Sequence, residues 1–215
     1  MKIYGISGLG ADKRVFDFLS LNCEFIPIDW IPPKPKESIE EYSLRLSAVI
    51  DNNIEFGILG VSFGGLIATE ISKILKPTLT ILISTVETKS ELRPIIKMLG
   101  KLNITKIIPL ELLNPPRRVA HLLFGTNQKK LLDSILGDSD VRFTKWAVHE
   151  LANWKNQERL ESVLKIGGTK DKLIPSRTIE NVHLVEGGGH FMIVDKAEEI
   201  SELINGKIKE QQHNK

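Results

Sequence analysis

Short apolar runs recur along this 215-residue chain, and most are followed by a longer stretch whose apolar residues fall three or four apart. Residues 2–6, 25–28, 56–61, 79–84, 164–167 and 182–185 read as strands. Residues 12–19, 63–75 and 196–209 read as helices, as does a segment that begins after Ser38 and ends near Asn52 and Asn53. Ser38 and Glu41 have the spacing of a capping box, and Leu44, Ala48 and Ile50 supply apolar positions after it. The strand runs lack strict alternation of apolar and polar residues, so both faces of the sheet are covered. The expected fold is α/β, a doubly wound and mostly or wholly parallel sheet of about six strands with right-handed crossovers.

Residues 85–159 break this rhythm. They contain no clear strand, and the apolar spacing predicts helices over 92–102, 116–123, 129–136 and 141–154. The expected organisation is therefore a core of residues 1–84 and 160–215 with a helical cap insertion at 85–159. The polar segment 207–215 is expected to fray.

Charge narrows the function classes. Lys and Arg total 29 against 27 Asp and Glu, and no basic stretch is interleaved with aromatics, so nucleic acid is not an expected partner. No run approaches the ~20 apolar residues of a membrane span. The start of the chain lacks the pattern of a signal peptide. Cys23 is the one cysteine, at the edge of an apolar run; it reads as a small packed hydrophobe, and no internal disulfide is possible. Together these features make the cytoplasm the expected location.

Gly60-Val61-Ser62-Phe63-Gly64 matches G-x-S-x-G between an apolar strand and an apolar helix. That setting presents a serine hydroxyl on a tight, strained turn at the C-terminal edge of a sheet. The adjoining helix N-terminus favours negative charge there. With this motif the chain resembles the α/β-hydrolase family along nearly its whole length. The resemblance implies the chain order Ser…Asp…His. Residues 166–175 resemble the family's segment after its penultimate strand, which carries Asp171 over as the orienting acid. Gly187, Gly188 and Gly189 precede His190, which the resemblance makes the general base. Glu87, shortly after the fourth strand, is the alternative acid. Ser7-Gly8-Leu9-Gly10 takes the place of the family's first-strand loop, so the backbone N–H groups of Leu9 and Phe63 are the expected oxyanion donors. The departure is Ser7, where histidine is common.

His183 falls in a strand, His121 and His149 in the insertion and His213 in the tail, with no metal-ligand spacing among them or with Cys23. The chemistry implied by the resemblance needs no cofactor and no metal. Its expected partner is a small-molecule acyl substrate. Leu110, Leu112, Leu113, Leu122, Leu123, Phe124, Phe143, Trp146, Leu151 and Trp154 are candidates for an apolar acyl pocket. Phe143, Ala147, Leu151 and Trp154 also share one helical face, as residues packed against a core do. The default expectation is hydrolysis of a carboxylic ester or thioester of small to medium acyl size. Amide or carbon–carbon bond hydrolysis with the same triad, and a ligand receptor that does not turn over, are the alternatives. Haloalkane dehalogenation is disfavoured, because relatives that perform it have aspartate in place of Ser62.

Overall fold

The computed structural model describes residues 1–102 and 116–213. They form a six-stranded sheet in the order β2-β1-β3-β4-β5-β6. The strands are β1 (Lys2–Ile6), β2 (Glu24–Ile28), β3 (Phe56–Val61), β4 (Leu79–Ile83), β5 (Val163–Gly168) and β6 (Val182–Val185). Every pairing is parallel. Neighbours on β3 show why its sequence is continuously apolar. Ile58 packs in the cluster with α1 (Ile39–Leu46) and α2 (Phe63–Leu75). Leu59 packs on the opposite face, with α8 (Ala197–His213). Each face of β3 thus meets its own helix layer, which is the doubly wound arrangement.

The strand order reverses at β1, with β2 on one side and β3 on the other. The carboxyl ends of strands at such a switch point frame a crevice. The loops carrying Leu9 and Ser62 leave the sheet there.

Among the described residues, four α-helices lie between β4 and β5: α3 (Pro94–Lys101), α4 (Arg117–Phe124), α5 (Lys129–Asp138) and α6 (Val141–Asn153). Phe143, Ala147 and Trp154 of the α6 region are buried in the cluster of α1 and α2. Leu132 and Ile135 of α5 join the opposite cluster. The chain ends in α7 (Met192–Asp195) and α8.

Two local expectations change. Residues 12–19 hold only a 3-10 turn over Lys13–Phe16. The Asp12 carboxylate accepts from the Arg14 N–H and its guanidinium, and only Val15 and Phe16 are buried in that turn, too short an apolar stripe for a full helix. The capping box at Ser38 and Glu41 forms, but α1 ends at Leu46 and a 3-10 turn continues over Ser47–Val49. The buried face of α1 is Ile39, Tyr42 and Leu46. Leu44 lies two residues from Tyr42 and therefore points to solvent, as does Ala48, while Ile50 is buried beyond the helix. At the other end α8 extends to His213, past the expected start of fraying.

Candidate active site

Ser62 joins β3 to α2 with φ 52° and ψ −121°. That region is nearly closed to residues with a Cβ and costs of order 1–3 kcal/mol. Close packing holds the turn in place. A Cβ on Gly64 would collide with the carbonyl oxygens of Ile6 and Ser7, and one on Gly60 would lie 2.5 Å from the Gly64 carbonyl oxygen. The glycines let the β1 loop and the start of α2 press against the serine turn. The Ser62 N–H donates to the Ile83 carbonyl at 2.9 Å, which ties the turn to β4.

His190 follows β6 and the glycine loop. Its Nε2 lies 2.9 Å from Ser62 Oγ and its Nδ1 lies 2.9 Å from Asp171 Oδ2. A carboxylate only accepts, so Nδ1 carries the proton toward Asp171 and Nε2 is left to accept from the serine hydroxyl. The Asp171 side chain is fully buried, with 0% exposure, and His190 is 5% exposed. Asp171 Oδ1 accepts the N–H groups of Leu173 and Ile174, each at 2.8 Å. The loop that follows β5 therefore fixes the carboxylate by its own backbone.

The structure thus brings together Ser62, His190 and Asp171 from the ends of β3, β6 and β5. It takes Glu87 elsewhere. Glu87 Oε2 pairs with Lys165 Nζ and Arg159, each at 3.1 Å, and Oε1 accepts the Leu160 N–H at 2.7 Å. Glu87 and Lys165 are buried while Arg159 is exposed, and the contacts tie together the two ends of the segment between β4 and β5. The other histidines do not join the site. His121 Nε2 lies 2.8 Å from Asp133, His149 is beside Asn153, His183 is exposed on β6, and His213 contacts the Lys209 carbonyl. Cys23 is half-buried among apolar side chains, and burial pushes its thiol above the ordinary value.

Leu9 and Phe63 line a cavity of about 230 Å³ together with Ser62 and His190. Among the described residues no acceptor is paired with the Leu9 N–H. Phe63 is the first residue of α2, where an N–H has no partner within the helix. Ser7 has its own means of shaping the loop: its hydroxyl donates to the Ala11 carbonyl at 2.8 Å, an oxygen that also accepts from Trp30 Nε1 at 3.0 Å.

Among the described residues, the cavity walls apart from Ser62, Thr85 and His190 are formed by glycine and apolar residues. The segment between β4 and β5 contributes Thr85, Val86, Leu92, Ile96, Phe124 and Leu151. Of the expected pocket residues, Phe124 and Leu151 are present on this wall. Phe143, Trp146 and Trp154 instead pack against α1 and α2, and Trp154 Nε1 donates to buried Glu70 at 2.7 Å. Leu122 is exposed, Leu123 does not line the cavity, and Leu110, Leu112 and Leu113 lie outside the described residues. Phe124 has a second contact that its sequence position did not announce. Its ring meets the His190 imidazole edge to face at 5.5 Å, and its carbonyl accepts the Phe191 N–H at 3.1 Å.

No family profile matches the chain, and no curated protein is similar to it in sequence. Solved structures do match. An esterase from Thermogutta terrifontis superposes with a TM-score of 0.72 at 13% identity, covering 98% of this chain and 90% of that one. A bromoperoxidase from Bacillus anthracis gives 0.73 at 18% identity, covering 97% and 91%. MenH from S. aureus gives 0.68 at 18% identity, covering 99% and 94%. The chain has the α/β-hydrolase fold. Within that fold, Ser62 stands at the turn after β3, and no helix among the described residues is long and apolar enough to cross a membrane.

Proposed function

We propose that this protein is a serine hydrolase that cleaves a carboxylic ester or thioester of small to medium acyl size, with Ser62 as nucleophile, His190 as general base and Asp171 as the acid that orients it. The observation that carries the reading is the unbroken chain from Ser62 Oγ to His190 Nε2 and from His190 Nδ1 to Asp171 Oδ2, both at 2.9 Å, at the wall of an apolar cavity.

The chemistry follows from those positions. As Ser62 Oγ attacks the acyl carbon, its proton passes to His190 Nε2. Asp171 stabilises the imidazolium and keeps Nδ1–H pointed away from the serine. The N–H groups of Leu9 and Phe63 donate to the oxyanion. His190 then gives its proton to the departing alcohol or thiol, which leaves the acyl group on Ser62. Water enters, loses a proton to His190 and attacks the acyl carbon; the proton returns to Ser62 Oγ as the acid departs. The residues between β4 and β5 serve as a cap, since Leu92, Ile96, Phe124 and Leu151 close one side of the cavity. Among the described residues the lining holds no Asp, Glu, Lys or Arg, which favours an uncharged acyl group. At about 230 Å³ the cavity is below the ~300–1,000 Å³ of pockets for drug-sized ligands, which favours a modest chain.

Steady-state hydrolysis of a p-nitrophenyl ester series tests the proposal. The wild-type protein turns over many times per molecule on a short to medium chain, and Ser62→Ala does not. A single turnover followed by a stall places the protein among ligand receptors on this fold.

A further inference from the structure

Thr85 lies 23 positions from Ser62 in sequence, yet its hydroxyl Oγ1 donates to the Ser62 carbonyl oxygen at 2.6 Å. The approach is built by the backbone. Ser84, the residue after β4, has φ 49°, a left-handed conformation that swings the chain back toward the serine turn. The Ser84 N–H is held by the Ile166 carbonyl at 2.9 Å. Thr85 is 7% exposed, and a Cβ on Gly65 would collide with its side chain, so the threonine is wedged against the first turn of α2.

The Ser62 carbonyl and the Phe63 N–H belong to one peptide unit. That unit is planar and trans, so the two groups point in opposite directions. A donor that fixes the carbonyl fixes the direction of the N–H. Hydrogen bonds in series also polarise one another, and a donor on the carbonyl makes the N–H of the same amide a stronger donor. The Ser62 carbonyl accepts a second bond from the Gly65 N–H at 2.9 Å, which is local to the turn. Thr85 is the partner that comes from outside it.

We infer that Thr85 is a positioning residue for the oxyanion site: its hydroxyl holds the Ser62–Phe63 peptide so that the Phe63 N–H faces the developing oxyanion. This rests on the reading of Ser62 as nucleophile. Thr85 does not touch the reacting atoms. Thr85 lines the cavity, but its hydroxyl is committed to the Ser62 carbonyl, so its effect belongs to the tetrahedral, anionic stage and falls on kcat more than on binding of the neutral ester.

The test compares wild type with Thr85→Val, which keeps the branched shape and removes the hydroxyl, and Thr85→Ser, which keeps the hydroxyl. Thermal unfolding first establishes that each variant is folded. Three quantities are then measured: kcat and KM on a p-nitrophenyl ester, and inhibition by an alkyl boronic acid, which forms a tetrahedral anionic adduct on an active serine. Thr85→Val is expected to lose about tenfold in kcat, less than the 10²–10³-fold loss of an oxyanion donor itself. KM stays within about twofold, boronate affinity falls in parallel with kcat, and Thr85→Ser recovers most of both. Equal kcat and boronate affinity in folded Thr85→Val and wild type overturn the inference while leaving the nucleophile in place. So does a loss that Thr85→Ser does not recover. If wild type itself neither turns over ester nor binds the boronate, the reading of Ser62 fails instead.

Discussion

His190 Nδ1 and Asp171 Oδ2 stand 2.9 Å apart, and the other oxygen of the same carboxylate is held by the Leu173 and Ile174 N–H groups. The aspartate therefore has two tasks, one toward the imidazole and one toward its own loop. Asp171→Asn keeps an oxygen for the backbone and replaces the acceptor facing Nδ1 when the amide nitrogen takes that side. The expected loss in kcat is about 10⁴-fold, as when a triad histidine is left in the wrong tautomer, with a small change in melting temperature.

Glu87→Gln gives the opposite pattern. It removes the charge that faces buried Lys165 and the exposed guanidinium of Arg159, and breaking a buried pair such as Glu87–Lys165 costs about 3–5 kcal/mol. Lys165 keeps Glu91 at 3.5 Å, which brings the cost toward the lower end. Thermal unfolding is expected to show the loss, and kcat at a temperature where the variant is folded stays within about twofold. A collapse of kcat in folded Glu87→Gln makes Glu87 the acid.

Under the proposed function, the cavity wall supplied by the segment between β4 and β5 is expected to limit acyl length. Leu151 and Ile96 line it, and no Asp, Glu, Lys or Arg is among the described lining residues. Leu151→Trp adds bulk at that wall and is expected to shift the preferred chain in a p-nitrophenyl series toward acetate, lowering kcat/KM for longer chains by about tenfold or more, the range that a few methylenes command. The rate on acetate changes little.

One source of pH-dependent stability lies away from the candidate site, at Glu37. The Arg45 guanidinium donates to both oxygens of buried Glu37 at 2.8 Å, and the Lys34 N–H adds a bond at 2.7 Å. The hydrogen bonds from Arg45 hold the Glu37 carboxyl below its ordinary value. A carboxyl lowered on folding stabilises the fold above its unfolded value, near 4.3, and that contribution disappears as pH falls through the lower folded value. Glu37→Gln is expected to cost about 2 kcal/mol at pH 7. The gap from wild type narrows below about pH 4 in urea unfolding. A gap that stays constant down to pH 3 contradicts this source.

Much of the fold was legible because burial on both faces writes itself into sequence. The bounds of β3, α2 and β6 match the apolar runs. Local punctuation was legible too, as at Ser38 and Glu41. The turn at residues 13–16 was misread because Val15, Phe16 and Phe18 mimic a helical stripe, yet Phe18 is exposed and the segment has no further face to bury. For the site, the glycine-flanked Ser62 and His190 stood out because tight turns demand unusual residues. The insertion's apolar residues did not reveal their destinations. Phe143, Leu151 and Trp154 all pack against one core cluster, yet only Leu151 of the three also lines the cavity, and periodicity alone does not separate them. Thr85 gave no signal at all, since its partner is fixed by how the loops after β3 and β4 meet.

Reaction with a fluorophosphonate probe, followed by peptide mass spectrometry, tests the central claim most directly. The account predicts one adduct, on Ser62, formed rapidly by wild type and lost in a folded His190→Ala variant. An adduct on another residue, equal labelling of Ser62 without His190, or no adduct in folded wild-type protein contradicts it.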